Sequence, residues 1–283
     1  MYTCLVLLNY IKLKKMKFLK ITLAVLASIS LFSCSSDDNE TEIVEGETGS
    51  LKLKFDNGVG DSDFAFETEY TRENGETYTL NNLKYIISNI VLTAADGSTF
   101  SYSDNSDTFI VDEASANTAG EIIVTLDGVN AADYTSVTFG LGIDQETYLK
   151  GIDGQGDFLL EAEEKGMTWA WAMGYKFIRL DGTFTPAPSE EDDMNNLTIH
   201  MGSIGPTLDN YQDFSFEFGN SALVREDKTP EIHIKADIAK VFDGTTSLSF
   251  ANGDNSIQAS AEKTPIVASN AGLMFTFDHV HND

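Results

Sequence analysis

The chain is 283 residues long, 22% of them charged, and Asp plus Glu outnumber Lys plus Arg by 45 to 18. That length gives room for one large β domain or two modest ones. A formal net charge of −27 repels phosphate backbones and anionic lipid headgroups and draws cations, which sets nucleic-acid binding aside.

In chain order, Met16-Lys-Phe-Leu-Lys20 forms a basic segment and Ile21 to Phe32 an apolar one. The apolar run is too short for a comfortable membrane span, so residues 1–33 read as a leader: an upstream extension to residue 15, then a signal peptide. It ends Leu31-Phe-Ser-Cys34, which resembles the bacterial lipobox. By that resemblance Cys34 becomes the lipidated first residue of the mature protein, on the outer membrane at its periplasmic or cell-surface side. The other cysteine, Cys4, lies upstream, so no thiol remains for a disulfide or a metal. Five of the 18 basic residues (Lys12, Lys14, Lys15, Lys17, Lys20) fall in the leader, which leaves the mature part 13 cations against 45 anions. Residues 34–50 read as a flexible tether. Its acidic start, Ser35-Ser-Asp-Asp-Asn-Glu-Thr-Glu42, resembles the surface-export signal of Bacteroidetes lipoproteins; a simple spacer is the alternative.

From residue 51 the pattern has period two, with Leu51, Leu53 and Phe55 alternating with lysines. Asn74-Gly75 signals a hairpin between residues 64–72 and 77–80. Residues 83–92 form a long β-branched and aromatic run closed by Asp96-Gly97, and further short strands are expected at 99–102, 108–111, 121–126 and 136–141. Residues 143–165 are rich in Gly and acids and read as a loop with one helical turn. More strands are expected at 198–201, 213–218, 231–236, 247–250 and 273–280, with a short helix at 238–242. Many short strands with frequent turn signals, and no linker that forces a split, predict an all-β fold. The expectation is a single antiparallel β-sandwich with long loops over residues 51–283.

The stretch 166–184 departs most from an ordinary strand pattern. It holds the only tryptophans, Trp169 and Trp171, in a W-x-W flanked by Met167 and Met173. On a strand, residues two apart share a face, so both indoles are expected side by side with the methionine sulfurs in line. Such a face fills a sandwich interior, unless metal ligands gather around it. Further on, Asp181-Gly182 is expected to turn the chain.

Histidine is scarce, four in all. His200 sits in Leu197-Thr-Ile-His-Met-Gly202, and His279 and His281 form an H-x-H. On a strand the latter puts two imidazoles on one face at a spacing suited to one metal ion; a frayed tail is the plain alternative. Imidazole nitrogen favours copper and zinc and thioether sulfur favours Cu(I), which makes Met201, Met274, Met167 and Met173 soft candidates. His233, between Ile232 and Ile234, reads as a surface histidine. The acidic runs at 56–63 and 153–157 do not follow the EF-hand order and read as turns. There is no G-x-S-x-G, H-E-x-x-H or P-loop, and no carboxylate pair is singled out, so no enzyme activity is expected.

Several segments together resemble the MbnP-like family of secreted copper-binding proteins. They are Phe55-Asp-Asn-Gly-Val-Gly60, Leu83-Lys-Tyr-Ile-Ile-Ser-Asn-Ile-Val-Leu92, Phe139-Gly-Leu-Gly-Ile-Asp144, Met167-Thr-Trp-Ala-Trp-Ala-Met-Gly-Tyr-Lys-Phe177, Ile199-His-Met-Gly202, Phe242-Asp-Gly244 and Met274-Phe-Thr-Phe-Asp-His-Val-His281. The resemblance spans residues 51–281. It implies a β-rich fold and a copper site, with His200, His279 and His281 as histidine candidates. It also implies that Trp169 or Trp171 is oxidised to kynurenine by a partner di-haem cytochrome c peroxidase-like enzyme. Where the family often has H-I-G-G, Met201 follows His200 and Ser203 replaces the second glycine, which leaves the full ligand set open.

The residues support two functional expectations. One is an envelope lipoprotein that binds copper for scavenging, storage or delivery. The other is a surface-displayed module, free of metal, that binds glycans or proteins through an exposed Trp169/Trp171 platform.

Overall fold

The computed structural model describes residues 43, 46–102, 107–187 and 194–282. The leader, Cys34 and most of the tether lie outside the described residues, as do residues 188–193 of the loop after Pro186. The described strands and helices all belong to the compact unit Ile43–Asp283.

Strand β1 (Thr48–Val59) is followed by the short β2 (Ser62–Asp63) and β3 (Tyr70–Thr71), then the long β4 (Thr77–Ala94). Next come β5 (Thr99–Ser101), β6 (Phe109–Asp112), β7 (Glu121–Asn130) and β8 (Ala132–Leu141). Helices α1 (Gln145–Leu149) and α2 (Phe158–Glu164) occupy the segment expected as a loop with one helical turn. The second half runs through β9 (Ile178–Thr185), β10 (Asn195–Met201), β11 (Gln212–Val224) and β12 (Glu231–Asp237). It closes with α3 (Ala239–Phe242), β13 (Ser256–Gln258), α4 (Thr264–Ala271) and β14 (Phe275–His281). β1 starts at Thr48, opposite Asn130 of β7, so the last residues read as tether are already in a sheet.

The expected all-β sandwich forms, from two mixed sheets. In one, β14, β12 and β1 lie side by side, and β7 takes the other edge of β1. The other runs β11-β8-β4-β9-β10-β13, with β3, β5 and β6 also along β4. The antiparallel expectation fails at two pairs, β1 with β12 and β10 with β13, which are parallel. Both pairs join strands far apart in sequence, and a parallel neighbour is reached only through a long crossover and never through a hairpin.

Alternation builds the core. Leu51, Leu53 and Phe55 are fully buried while Lys52, Lys54 and Asp56 point outward. Phe55 meets Tyr85 of β4 and Phe139 of β8 edge-on at 5.9 and 5.8 Å, and Phe275 of β14 meets Phe139 at 5.3 Å. The two sheets and the last strand are thus locked through one aromatic group, each pair worth about 0.5–1.5 kcal/mol beyond the area it buries.

Three departures from the sequence expectations matter. β9 does not turn at Asp181-Gly182 but runs straight through it, pairing Asp181 with Thr198 and Gly182 with Leu197. Glycine is required there because a Cβ would collide with the Thr79 carbonyl of β4. Helix α4 escaped detection because Val267, Ala268, Asn270 and Ala271 are all buried, which leaves no polar stripe for periodicity to show. Residues 247–250, expected as a strand, instead make an isolated bridge from Ser247 to Asp243 and enter a 3-10 turn at Phe250.

Candidate metal centre

On β9 and β10 the alternation sorts side chains onto two faces. Ile178, Leu180, Ile199 and Met201 pack inward, while Arg179, Asp181, Thr198 and His200 take the opposite face. Adjacent β4 adds Asn82 and Lys84, which pair with Asp181 and Arg179. His200 is nevertheless only 6% exposed, so its two ring nitrogens have to be accounted for.

One of them is satisfied. His200 Nε2 lies 2.8 Å from Asp181 Oδ1. The other carboxylate oxygen, Oδ2, accepts from Arg179 Nε at 2.8 Å and from Asn82 Nδ2 at 2.9 Å. Burial works to raise the Asp181 carboxyl. The hydrogen bond and charge of His200, with the Arg179 guanidinium, outweigh it and hold the group at about 2. Asp181 is therefore a carboxylate at neutral pH and can only accept, so Nε2 carries the proton of the shared bond. In the neutral ring that leaves a lone pair on Nδ1, which is buried and has no hydrogen-bond partner. An imidazole whose far nitrogen is tethered to a carboxylate and whose near nitrogen is bare has the form of a metal ligand with its supporting shell.

The tryptophans are not on one strand. Thr168 bridges Tyr175, the Trp169 backbone N–H donates to the Gly174 carbonyl at 3.0 Å, and Trp171–Met173 form a 3-10 turn at the tip. The chain reverses there, and the expectation of two indoles on a shared face is corrected accordingly. The base of this hairpin is tied to the sheet at the Gly166 carbonyl, which accepts from Lys176 Nζ at 2.8 Å and Arg179 Nη1 at 3.2 Å.

Trp171 stacks on Tyr148 of α1 at 5.3 Å and meets Tyr175 edge-on at 6.1 Å. Trp169 instead lies over Gly202, two residues beyond His200: a Cβ on Gly202 would sit 3.1 Å from the indole Cζ3 and would strike the Tyr175 carbonyl. The Trp169 Nε1 is also buried without a partner. Two of the four such side-chain atoms among the described residues thus belong to His200 and to the indole packed beside its strand.

The remaining sequence candidates lie elsewhere. Met201 is wholly buried and, being the neighbour of His200 on β10, faces the opposite side. His279 and His281 are on β14 of the other sheet, where His279 pairs with His233 and His281 with Glu231. Among the described residues no three His, Cys, Asp or Glu side chains are close enough to hold a metal ion, so His200, His279 and His281 do not form one group. Asp181 was missed because Asp-Gly is a turn signal, although its period-two spacing from Arg179 carried the alternative.

The fold and this site define a β-sandwich protein with a buried, carboxylate-held imidazole beside a tryptophan hairpin. The family model for MbnP matches residues 48–260, most of the chain, and the protein belongs to that family. Among solved structures it is similar to MbnP from Methylosinus trichosporium, at 13% identity and a TM-score of 0.47, covering 83% of this chain and 99% of that one. A search of curated proteins gives no match. The family match includes His200, Trp169, Trp171 and Asp181 and ends before His279 and His281.

Copper is the group the family implies. His200 fits it: a bare imidazole nitrogen suits copper, and the Asp181 contact fixes the ring so that this nitrogen is the one available.

Proposed function

We propose that the protein is a copper-binding lipoprotein of the cell envelope, serving scavenging, storage or delivery, and that His200 is the primary ligand. The observation that carries this reading is the buried, partnerless Nδ1 of His200, opposite a nitrogen held 2.8 Å from an ionised carboxylate. Leaving such an atom bare costs about 1–3 kcal/mol in a folded protein, and a bound cation removes that cost. When bound, copper supplies an electron-accepting centre that imidazole nitrogen stabilises. Asp181 keeps the His200 ring oriented, Arg179 and Asn82 keep Asp181 oriented, and the surface acids raise the local cation concentration without choosing among ions.

Trp169 is the better of the two oxidation candidates in this reading. Its indole packs against Gly202 on the His200 segment, whereas Trp171 is stacked on Tyr148. Oxidative cleavage of the Trp169 C2–C3 bond by a di-haem cytochrome c peroxidase-like partner, with two equivalents of peroxide as oxidant and C2 lost as formate on hydrolysis, would turn its partnerless N–H into an aryl amine beside β10. A glycan platform needs two open indole faces, and both tryptophans are half-buried.

Copper titration against a competing chelator tests the site. His200→Ala is expected to lose the tight equivalent, while parent-like binding by that variant would overturn the assignment. Peptide mass analysis of protein produced with the di-haem enzyme is expected to place the kynurenine mass change on Trp169; a change on Trp171 alone would reverse that choice.

A further inference from the structure

β12 and β14 are antiparallel neighbours at one end of the first sheet, and their register slips once. Ile234 lies opposite Phe277, yet the next residue of β12, His233, lies opposite His279, with Asp278 as the extra residue. Such a bulge re-aims the side chains on either side of it. Here the result is that the two imidazoles come face to face, with ring centres 4.1 Å apart and planes 23° from parallel. We propose that His233 and His279 form a two-imidazole site for a divalent late-transition ion such as Zn(II), Ni(II) or Cu(II), separate from the centre at His200.

The geometry suits one ion. Metal–imidazole bonds of ~2.0–2.1 Å place two ligand nitrogens roughly 3–4 Å apart, close to the spacing of the rings. Stacked rings direct their lone pairs side by side, and a turn of the His233 ring about its broad second torsion makes them converge. His279 already has a supporting carboxylate, with its Nδ1 3.1 Å from Asp278 Oδ2, which directs Nε2 to the ion. The bulge residue therefore both re-aims the ring and holds it.

The surroundings keep the pair ready to bind. Burial, the neighbouring His279 ring and the Lys54 ammonium hold His233 below the usual imidazole range, against the pull of Glu121 and Glu231. Lys54 is itself neutralised, with Nζ 3.1 Å from both Glu121 and Glu231. Glu231 Oε2 lies 3.8 Å from His233 Nε2, and Asp278 also accepts from Lys235 at 3.3 Å.

Two protein ligands leave the other positions of the ion to water, so the site exchanges its metal readily and differs in kind from a closed structural site. His279 lies beyond residues 48–260, so half of the pair belongs to a strand outside the family match.

Zn(II) titration monitored by calorimetry, in a His200→Gln background, tests the proposal apart from the copper reading. One equivalent is expected to bind, and His233→Gln or His279→Gln is expected to abolish it. Asp278→Asn is expected to weaken it about tenfold, the lower end of what loss of a supporting carboxylate costs. Parent-like stoichiometry and affinity in both histidine variants would overturn the proposal. If a variant does not fold, the parent decides: Zn(II) should shift the NMR signals of the His233 and His279 rings together, and unmoved signals would overturn the site. Failure of the copper titration at His200 leaves this outcome untouched, and the reverse also holds.

Discussion

Two ionic clusters in this sandwich start from similar residues and end differently. Around Arg72, every guanidinium nitrogen is engaged: Nε and Nη2 reach Asp243 at 2.9 and 2.7 Å, Nη2 also reaches the Leu248 carbonyl at 2.6 Å, and Nη1 pairs with Glu76. Glu76 in turn accepts the Phe250 and Ala251 N–H groups at 3.3 and 2.9 Å, and the guanidinium sits 4.1 Å over the Phe250 ring. Around Asp181 the carboxylate is as fully engaged, by His200, Arg179 and Asn82, yet the network stops at an imidazole nitrogen with nothing beyond it. A closed network clamps the β3–β4 hairpin to the segment after α3. An open one presents a donor atom, and the difference between them marks stability on one side and, in the proposed reading, ligand binding on the other.

That contrast breaks most visibly at Arg72. Arg72→Ala leaves the buried Glu76 and the half-buried Asp243 without their guanidinium partner, and is expected to destabilise the fold by about 3–5 kcal/mol in urea unfolding while leaving copper affinity per folded molecule unchanged. A loss below about 1 kcal/mol, the range of an exposed ion pair, would show that the clamp is not needed. Asp181→Asn should act the other way round. It strips the Arg179 guanidinium of its charge partner, for an expected cost of about 1–3 kcal/mol. It also frees the His200 ring to take either tautomer, for an expected 10–100-fold weaker copper site. Equal copper binding by Asp181→Asn would place the metal away from His200.

The strands were legible where burial is one-sided, as in β1, where Leu51, Leu53 and Phe55 alternate with charged or polar residues. They were legible less well where a local signal lost to tertiary pairing. Asp181-Gly182 has turn chemistry, but the Thr79 carbonyl of β4 approaches so closely that only glycine fits, and the strand continues through it. The W-x-W spacing pointed to the right region through the wrong geometry, because period two holds only while the chain stays extended and here it reverses at Trp171–Met173. His200 was visible from its scarcity and its motif. Its carboxylate partner was not, since the diagonal contact from β9 to β10 exists only once the register is set. The His233–His279 stack was hidden for the same reason: a bulge at Asp278 creates it, and no spacing within either strand implies it.

The finest distinction between the two clusters is in their response to acid. Asp181 is held at about 2, against 3.8 for an ordinary aspartate carboxyl, by His200 and Arg179 acting against burial. A folded-state value below the unfolded one means that the unfolded chain takes up the proton first. The stabilisation is therefore complete above about pH 4, and it fades as the pH falls through the interval down to about 2. Asp243 is also depressed, with burial opposed by hydrogen bonds from Arg72 and Ser247, so acid weakens both clusters in the same direction. Asp181→Asn should remove its share and flatten the stability profile between about pH 4 and 2 relative to the parent, with no change in slope above about pH 5. Acid titration of urea midpoints for the two proteins measures this directly. Parallel profiles would mean that His200 and Arg179 do not hold this carboxyl below its ordinary value.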